Sequence, residues 1–488
     1  MRLLAKLYPA ALAASLSVAT GIVSAQTELP DIGNPVAATI SVDDERQIGE
    51  MITKELRDQG KIIDDPEVDE YVQSLGLRLA SQASDPATRQ FHYYTVREPG
   101  INAFAIFGGF IFCNYGTILA SGNESELASV LAHETAHVTQ RHLARMVNAQ
   151  SHQGLEQAAT ILGAILIGVL AGGNGNAMEG AIAAAQGMAV QRQINFTRAQ
   201  EYEADRVGIS FLAAAGFDPQ AMGNFFESMS RHEGLNGAWV PEMLRDHPVT
   251  SNRIAEARAR AAQYDRRKPA QSTGYALIKE RLRVLTTQRE ELIHLYTEIG
   301  SEHEPELDKS YGQALTLMAI GRPAEAVRIL EPLVNRHQGN TLLYAALGQA
   351  QMQAKLTGEG LTTFEHALGL FPRNVPLSIR YAEALMSAGR AEEAHVLLLD
   401  LFNNVDPTPP QIRLTAMAAS AAGDAGEAFY YMSEYHISNG DLLLSVQQLQ
   451  LALKAPNLTT VQRERYQARL DEIRDYLAAA RMQRTSSR

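Results

Sequence analysis

The sequence predicts a mostly α-helical chain, in which an α+β domain with a small β-sheet is followed by an α-helical repeat solenoid. The chain has 488 residues, of which 45% are hydrophobic and only 7% aromatic, and this composition is typical of several Ala- and Leu-rich helical cores. Only residues 91–119 have the short apolar runs and glycines that predict β-strands. A 34-residue repeat that begins near residue 307 predicts the solenoid.

The composition also excludes one class of partner. The formal net charge is −12, from 43 basic and 55 acidic residues. Because this balance leaves no basic face to grip a phosphate backbone, we expect no nucleic-acid partner. The single cysteine, Cys113, rules out an intramolecular disulfide and is expected to be a buried apolar residue.

The first 25 residues indicate export. Two basic residues precede an apolar run from Ala10 to Val23, and the small residues that end this run predict cleavage after Ala25. We therefore expect a signal peptide over residues 1–25. The alternative is an N-terminal anchor that stays uncleaved.

Periodicity and capping residues predict the elements that follow. Helices are expected over Val42–Asp58 and Pro66–Ala83, and the strands then follow within 91–119. The helical period returns from Glu124 to Ala149 without proline or glycine, so we expect one continuous helix there.

Two segments after this helix are ambiguous. The apolar run at 161–171 is too short to cross a bilayer, which takes about 20 residues, so it predicts either a buried helix or a helix that lies on the membrane surface. The glycine-rich run at 172–176 predicts a mobile excursion near the functional site.

The repeat places similar residues at three recurring positions. They are a turn position (Gly321, Lys355, Gly389, Gly423), a small position (Ala326, Gly360, Ala394, Ala428) and a large apolar position (Leu330, Phe364, Leu398, Met432). Stacked helical hairpins need this pattern, and Leu347-Gly348, Ala367 and Pro372 match the tetratricopeptide (TPR) repeat. Lys355 and Gly360 depart from the usual residues, so the second hairpin is expected to be irregular. Residues 441–480 predict capping helices. The concave surface of the stack would bind extended segments; the alternative is a structural spacer.

The strongest functional signal is the run His133-Glu134-Thr135-Ala136-His137. On a helix, positions 133 and 137 share one face, so both imidazoles can bind one zinc ion, while Glu134 can act as a general base on a water molecule held there. The alternative is that the two histidines bind no metal and instead form hydrogen bonds with carboxylates.

A catalytic zinc site needs a third protein ligand. One class of metallopeptidase uses a histidine six residues after the second, but Leu143 occupies that position here and His142 lies one residue before it. Since no glycine is present to make the required turn, we expect the helix to continue and the ligand to come from elsewhere.

The segment 198–205 is the best source of this ligand. Helical spacing puts Glu201 and Asp205 on one face, so Glu201 can bind zinc while Asp205 orients a ligand histidine. Spacing alone does not show whether Glu201 or Glu203 is the ligand. It also does not show whether the segment provides a ligand or is only a charged helix face.

HETAH, followed by R-x-x-E-x-x-A-D at 198–205, resembles the gluzincin family that contains the CAAX prenyl protease and the membrane protease HtpX. The resemblance implies a zincin-like α+β metallopeptidase domain with one zinc ion, in which Glu201 is the third ligand. A further family segment is similar to residues 102–109, with Phe107 in place of proline. We expect the substrate to bind as an extended strand beside the edge formed by residues 102–113, because main-chain pairing accepts many sequences. The candidate substrate-binding residues are Asn102, Ala103, Phe104, Gly108 and Gly109.

Two residues further along the chain complete the candidate site. The resemblance implies that His247 occupies the fourth zinc position from a loop and holds the enzyme closed, whereas the sequence alone favours a surface histidine before Pro248. Arg253 is a candidate for stabilising the oxyanion, or else a solvated charge on a helix.

The predicted organisation is a signal peptide over 1–25, a zinc metallopeptidase domain over 26–262, a helical connector over 263–306 and a TPR domain over 307–480. The TPR tail and the lack of membrane spans narrow the resemblance to periplasmic members. It then implies unfolded or stalled outer-membrane proteins as substrates and docking of the TPR domain on the barrel-assembly machinery. The alternatives are a non-enzymatic zinc-binding TPR adaptor or chaperone, and an integral-membrane prenyl-protein protease.

Overall fold

A small mixed β-sheet lies at the centre of the N-terminal part of the molecule. The computed structural model describes residues 41–83, 90–150, 198–235, 243, 247–265, 272–297 and 306–486, so the signal peptide and the segments 161–171 and 172–176 lie outside the described residues. Within them, the strands are β1 (His92–Val96), β2 (Ala103–Ala105) and β3 (Phe110–Asn114). The strand order is β1-β3-β2, with β1 parallel and β2 antiparallel to the central β3, whose residues are all buried. This confirms the predicted strand region and leaves β2 at an edge.

The turn between β2 and β3 has a conformation that requires glycine at two positions. Residues Phe107–Gly109 form a single 3₁₀ turn in which Gly108 and Gly109 have φ values of 78° and 87°. A Cβ atom on Gly109 would lie 2.1 Å from the carbonyl oxygen of Gln90. Both the backbone conformation and this close approach therefore require glycine.

Helices cover the sheet on both sides. They are α1 (Val42–Asp58), α2 (Pro66–Ala80), α3 (Tyr115–Ala120), α4 (Glu124–Thr139), α5 (His142–Gln150), α6 (Arg198–Ala215), α7 (Ala221–Leu235) and α8 (Ser251–Ala261). Side chains of Ser41, Asp65 and Asn123 cap the first amides of α1, α2 and α4, as their residue types favour. Cys113 is buried within the core, as predicted.

One expectation is wrong: the helix predicted over Glu124–Ala149 is interrupted. It ends at Thr139, and Arg141 takes the left-handed conformation with φ 51°, after which α5 begins at His142. A non-glycine residue pays a strain cost of about 1–2 kcal/mol there. The Arg141 guanidinium forms a half-buried ion pair with Glu45 of α1, which holds the turn in place.

Two helices connect the sheet domain to the repeats. They are α9 (Thr273–Thr286) and α10 (Arg289–Thr297), and α9 packs against α2 and α3 on one side and against the first repeat helix on the other. The repeat helices are α11 (Leu307–Ala319), α12 (Pro323–Arg336), α13 (Thr341–Gln353), α14 (Thr357–Leu370), α15 (Val375–Ser387), α16 (Ala391–Phe402), α17 (Pro409–Ala421), α18 (Ala425–Ser438), α19 (Leu442–Ala452) and α20 (Thr460–Ser486). No helix among the described residues is long and apolar enough to cross a membrane.

The recurring turn position has one backbone conformation in all four hairpins. Its φ values are 84° at Gly321, 64° at Lys355, 78° at Gly389 and 85° at Gly423. The second hairpin is therefore regular although it carries Lys355, because packing of the two helices imposes the turn. The fourth hairpin departs instead: its small and large apolar residues, Ala428 and Met432, are only half-buried.

A buried ionic cluster fixes the repeats to the sheet domain. Asp65 and Glu67, at the start of α2, both bond to Arg281 of α9 and to Arg380 of α15, at donor–acceptor distances between 2.6 and 3.0 Å. Burial alone would raise the pKa of Asp65, but the two guanidinium groups outweigh it and lower that pKa to about 2. Two carboxylates and two guanidinium groups thus neutralise each other at the domain junction.

We expect an Arg380→Met substitution to lower the free energy of unfolding by about 3 kcal/mol, because it keeps most of the side chain but leaves an uncompensated buried carboxylate. The denaturation midpoint of the purified chain measures this. Arg390→Met is the matched control, since the pair of Arg390 with Glu393 is exposed and its loss should leave the midpoint unchanged. Equal midpoints for Arg380→Met and Arg390→Met would contradict the assignment.

Candidate metal centre

Two facing helices position the candidate ligands. Helix α4 carries His133, Glu134 and His137, and α6 carries Glu201 and Asp205; all five side chains are buried. The helices approach closely because small residues line their contact. A Cβ atom on Gly208 of α6 would lie only 3.2 Å from the main chain at Ala132 and His133, so any larger residue would push α6 away from the histidines.

Four side chains converge on one point between these helices. The ring atoms His133 Nε2 and His137 Nε2 are 3.0 Å apart, and Glu201 Oε1 lies 3.6 Å from His137 Nε2. His247 Nδ1 is 3.4 Å from His133 Nε2 and 3.0 Å from Glu201 Oε1. One ligand atom from each of the four residues lies within 4.8 Å of all the others.

These distances fit a tetrahedral zinc site. Zinc bonds of about 2.0–2.1 Å to nitrogen and oxygen give a tetrahedron whose edges are roughly 3.3–3.4 Å. The measured separations between the four ligand atoms are scattered around that value. The donor set of three imidazoles and one carboxylate is also one that zinc prefers.

Glu134 is the second observation in favour of a metal site. Its side chain is fully buried, and neither carboxylate oxygen has a hydrogen-bond partner among the described residues. Burial raises its pKa, while the charges of His247 and His133 offset this in part. Its Oε1 lies 3.7 Å from His247 Nε2, beside the converging atoms. Such a carboxylate is a strong acceptor facing the point where a metal and a water molecule would lie.

Asp205 and Arg253 form a buried layer behind the ligands. Asp205 Oδ1 lies 3.0 Å from His133 Nδ1, although the ring is turned away from a linear hydrogen bond. Arg253 donates from Nε and Nη2 to the two oxygens of Asp205, each at 2.8 Å, and its Nη1 pairs with Glu201 Oε2 at 2.8 Å. The expectation that Arg253 is a solvated helix charge is wrong, because only 2% of the residue is exposed.

The buried charges shift the pKa values of the two α4 histidines in opposite directions. Burial alone would lower the pKa of His133, but the carboxylates of Asp205 and Glu201 outweigh it and raise that pKa to about 10. Burial and the neighbouring charge of His133 lower the pKa of His137 well below its ordinary value. The environment therefore distinguishes two residues that the sequence motif treats as equivalent.

His247 reaches the site from the loop before α8. Its amide donates a 2.8 Å hydrogen bond to the Met243 carbonyl, whose own amide bonds to Ile101 next to the sheet. The ring is buried, with 3% of the residue exposed, so the surface position that its sequence context favours is wrong. It lies with one nitrogen towards Glu201 and the other towards Glu134.

The candidate substrate-binding residues divide into two groups. Ala103 and Phe104 lie in the edge strand β2, where the bonds of β3 to the neighbouring residues leave the amides and carbonyls of Ala103 and Ala105 on the outer side. Asn102 bonds through its main chain to Thr117, while Gly108 and Gly109 form the turn against α1 and Gln90. Only β2 therefore offers main-chain groups to an extended partner.

The positions of three side chains of this region do not follow from the sequence, although its analysis names His142 and Glu203. His142 is fully buried against His137, Glu203 bonds to His142, and the ring of Phe226 packs 5.0 Å from the Arg253 guanidinium. His142 was set aside because of its spacing, and only the left-handed turn at Arg141 brings it back to the site. Nothing in the local sequence indicates Phe226.

Comparisons with known proteins agree with this geometry. The model of peptidase family M48 matches residues 66–261, and a tetratricopeptide repeat model matches residues 351–419. The beta-barrel assembly-enhancing protease of Yersinia pestis is 33% identical over 461 residues, which cover 93% of each chain. That of Escherichia coli (strain K12) is 32% identical over 94% of this chain and 93% of its own.

A more distant relative matches a smaller part of the chain. The mitochondrial metalloendopeptidase OMA1 of Schizosaccharomyces pombe is 27% identical over 195 residues, or 38% of this chain and 50% of its own. Relatives that cover nearly the full length, together with the peptidase match, confirm the predicted family, the enzyme class and the zinc dependence. The chain therefore belongs to the family of beta-barrel assembly-enhancing proteases and is a zinc metalloprotease of the M48 type that carries tetratricopeptide repeats.

Proposed function

We propose that His133, His137 and Glu201 hold the single zinc ion and that Glu134 is the general base for peptide hydrolysis. The observation that carries this proposal is the convergence of buried ligand atoms from α4 and α6 at separations close to those of a tetrahedral site. Asp205 contacts His133 from behind and orients it.

The metal and Glu134 would have different roles in peptide hydrolysis. When bound, zinc polarises the scissile carbonyl and lowers the pKa of water to about 7. Glu134, which lies beside the converging ligand atoms, accepts the proton of the attacking water and passes it to the leaving amine. Burial of the site excludes bulk water and strengthens each of these interactions.

The substrate would bind as an extended strand along β2. The outward amide and carbonyl of Ala103 and the outward carbonyl of Ala105 can pair with a peptide main chain. Main-chain pairing gives little sequence preference, so the proposed substrates are unfolded chains of many sequences.

His247 would keep the enzyme in a closed state. Its Nδ1 lies among the ligand atoms and its Nε2 faces Glu134, so one imidazole takes both the fourth position around the metal and the place of the water molecule. Opening would require the loop that carries His247 to withdraw.

Arg253 is proposed as a positioning residue. Its donors are directed to Asp205, to Glu201 and to the Pro248 carbonyl, so it sets the orientation of both carboxylates and of the loop after His247. This geometry favours a positioning role over the predicted stabilisation of the oxyanion.

The relatives support a proposal for the cellular role. Proteins that are named for enhancing beta-barrel assembly cover nearly all of this chain. We propose a periplasmic, chaperone-like quality-control enzyme with a cleaved signal peptide, whose substrates are unfolded or stalled outer-membrane proteins. Its repeats would dock on the barrel-assembly machinery, with peripheral membrane contact through segments outside the described residues. The proposed division remains 26–262 for the peptidase, 263–306 for the connector and 307–480 for the repeats.

The non-enzymatic adaptor or chaperone is the second candidate. The buried His247 ring across the site is the observation in its favour, since a permanently closed site would bind without cutting. The peptidase family match and the metalloendopeptidase relatives do not favour it. The relatives named for beta-barrel assembly, which cover nearly all of this chain, do not favour the prenyl-protein protease of the membrane either.

A Glu134→Gln substitution tests the general base. The variant should retain the zinc content of the wild type but lose cleavage of casein by about 10²–10⁴-fold, because the amide cannot accept the proton. Zinc is measured by atomic absorption and cleavage by release of labelled peptides. Undiminished cleavage by this variant would exclude Glu134 as the base.

Metal content also tests the third ligand. The wild type should hold one zinc ion per chain, whereas Glu201→Ala should lose it during dialysis against a weak chelator, because the buried site loses one ligand and its only negatively charged one. Glu227→Ala is the control, since Glu227 forms exposed pairs with Arg258 and Arg231 and lies outside the candidate site. If the Glu201→Ala protein holds zinc as tightly as the control, the third ligand has been assigned wrongly.

A His247→Ala substitution distinguishes the protease from the adaptor. We expect several-fold faster casein cleavage, because removal of the ring opens both the fourth metal position and the space in front of Glu134. The assay compares wild type and variant with zinc present and adds Glu134→Gln/His247→Ala as the inactive control. Absence of cleavage by both the wild type and His247→Ala would support the adaptor.

A further inference from the structure

Behind His137, on the side away from the converging ligand atoms, lies a second pair of polar side chains that the proposed mechanism does not use. His142 Nδ1 is 2.9 Å from His137 Nδ1, and the two rings meet nearly edge to face, with an angle of 78° between their planes. His142 is fully buried. Residues five apart on one continuous helix do not face each other in this way.

The break between α4 and α5 creates this contact. Arg141 takes the left-handed conformation, and its ion pair with Glu45 anchors the turn to α1. Gln200 of α6 also approaches the His142 carbonyl, with its Nε2 at 3.4 Å. Contacts with α1 and α6 thus stabilise the strained turn. The turn in turn places His142 against His137.

The proton positions in this pair follow from the role of His137. A neutral imidazole that offers the lone pair of Nε2 to a metal carries its proton on Nδ1. His142 Nδ1 must then accept this hydrogen bond, so the proton of His142 resides on Nε2. That nitrogen lies 3.1 Å from Glu203 Oε2, which accepts it.

Glu203 completes the chain of hydrogen bonds. The same carboxylate oxygen also accepts from Arg145 Nη1 at 3.1 Å, so one residue of α6 is fixed between two residues of α5. Glu203 therefore bonds to His142 and to Arg145 at the same time and is held against α5. Both α4 histidines therefore have a carboxylate behind them: Asp205 directly behind His133, and Glu203 through one additional imidazole behind His137.

We propose that His142 and Glu203 are positioning residues of the metal site, which fix the tautomer and the ring orientation of His137 through the hydrogen-bond chain His137–His142–Glu203. This inference rests on the proposed function, in that it assumes His137 to be a zinc ligand. Groups in this position orient metal ligands and increase their basicity. The structure also separates the two glutamates that the sequence left open: Glu201 faces the ligand atoms, and Glu203 faces His142.

Zinc affinity of the full-length chain tests the proposal, measured by competition with a chromogenic chelator. His142→Phe keeps a ring but has no acceptor for His137 and should weaken zinc binding about 10–100-fold. His142→Asn keeps an acceptor near the Nδ1 position but loses the bond to Glu203, so its affinity should lie between that of the wild type and that of His142→Phe. Glu203→Ala should weaken binding by a similar factor to His142→Asn. Glu256→Ala, an exposed substitution on α8, is the unchanged control.

Two further measurements separate positioning from folding. The denaturation midpoint in excess chelator should be the same for the wild type and for Glu203→Ala, because the Glu203 side chain is partly exposed. This variant keeps the test valid even if His142→Phe does not fold. The visible spectrum of the cobalt(II)-substituted chains should change in the His142 and Glu203 variants, because the geometry of the His137 ligand changes.

The outcomes distinguish this inference from the proposed function. Wild-type zinc affinity and an unchanged cobalt spectrum in both His142→Phe and Glu203→Ala would overturn the positioning role while leaving the metal site intact. A metal-free midpoint that falls in parallel with zinc affinity in Glu203→Ala would overturn it as well, since the pair would then serve only the fold. A wild type that binds no zinc would instead overturn the proposed function.

Discussion

The close contact between α4 and α6 is the constraint on which the site depends. Neither helix carries a complete ligand set, and the geometry requires their main chains to approach where His133 and Glu201 face each other. Ala132, Ala204 and Gly208 make this possible, since both alanines are fully buried and even a Cβ atom on Gly208 would lie 3.2 Å from the main chain of α4. Glycine inside a helix lowers the stability of the helix by about 1 kcal/mol relative to alanine. Packing between the two helices must offset this loss.

Bringing these helices together buries carboxylates that need compensation. Glu201 and Asp205 would each be costly in an apolar interior, and Arg253 is placed with one edge on Asp205 and one nitrogen on Glu201. Its guanidinium also packs over Phe226, which shields the pairs from water. The layer of charges behind the ligands is thus part of what allows Glu201 to be presented to a metal at all.

The sequence predicts those parts of the structure that repeat or that follow a regular period. The helix over Val42–Asp58, the strand region and the helical hairpins all follow from periodicity, and the pairing of HETAH with the segment around Glu201 follows from ligand chemistry and the family resemblance. The left-handed turn at Arg141 does not, because a non-glycine residue adopts it only when tertiary contacts, here with Glu45, compensate its strain. His142 could not be placed at the site without that turn. Lys355 gives the same lesson in the repeats, where the packing of the hairpin overrides the preference of the residue.

Helix α2 contacts both the peptidase site and the repeats. Its first turn provides Asp65 and Glu67, which hold Arg281 and Arg380 across the domain junction. Further along, Gln73 bonds to the main chain of β1, and Tyr93 of β1 shares a 2.7 Å hydrogen bond with Thr135 inside the HETAH run. These contacts are buried or half-buried and their charges are compensated, so the position of the repeats relative to the metal ligands is set by packing and ion pairs.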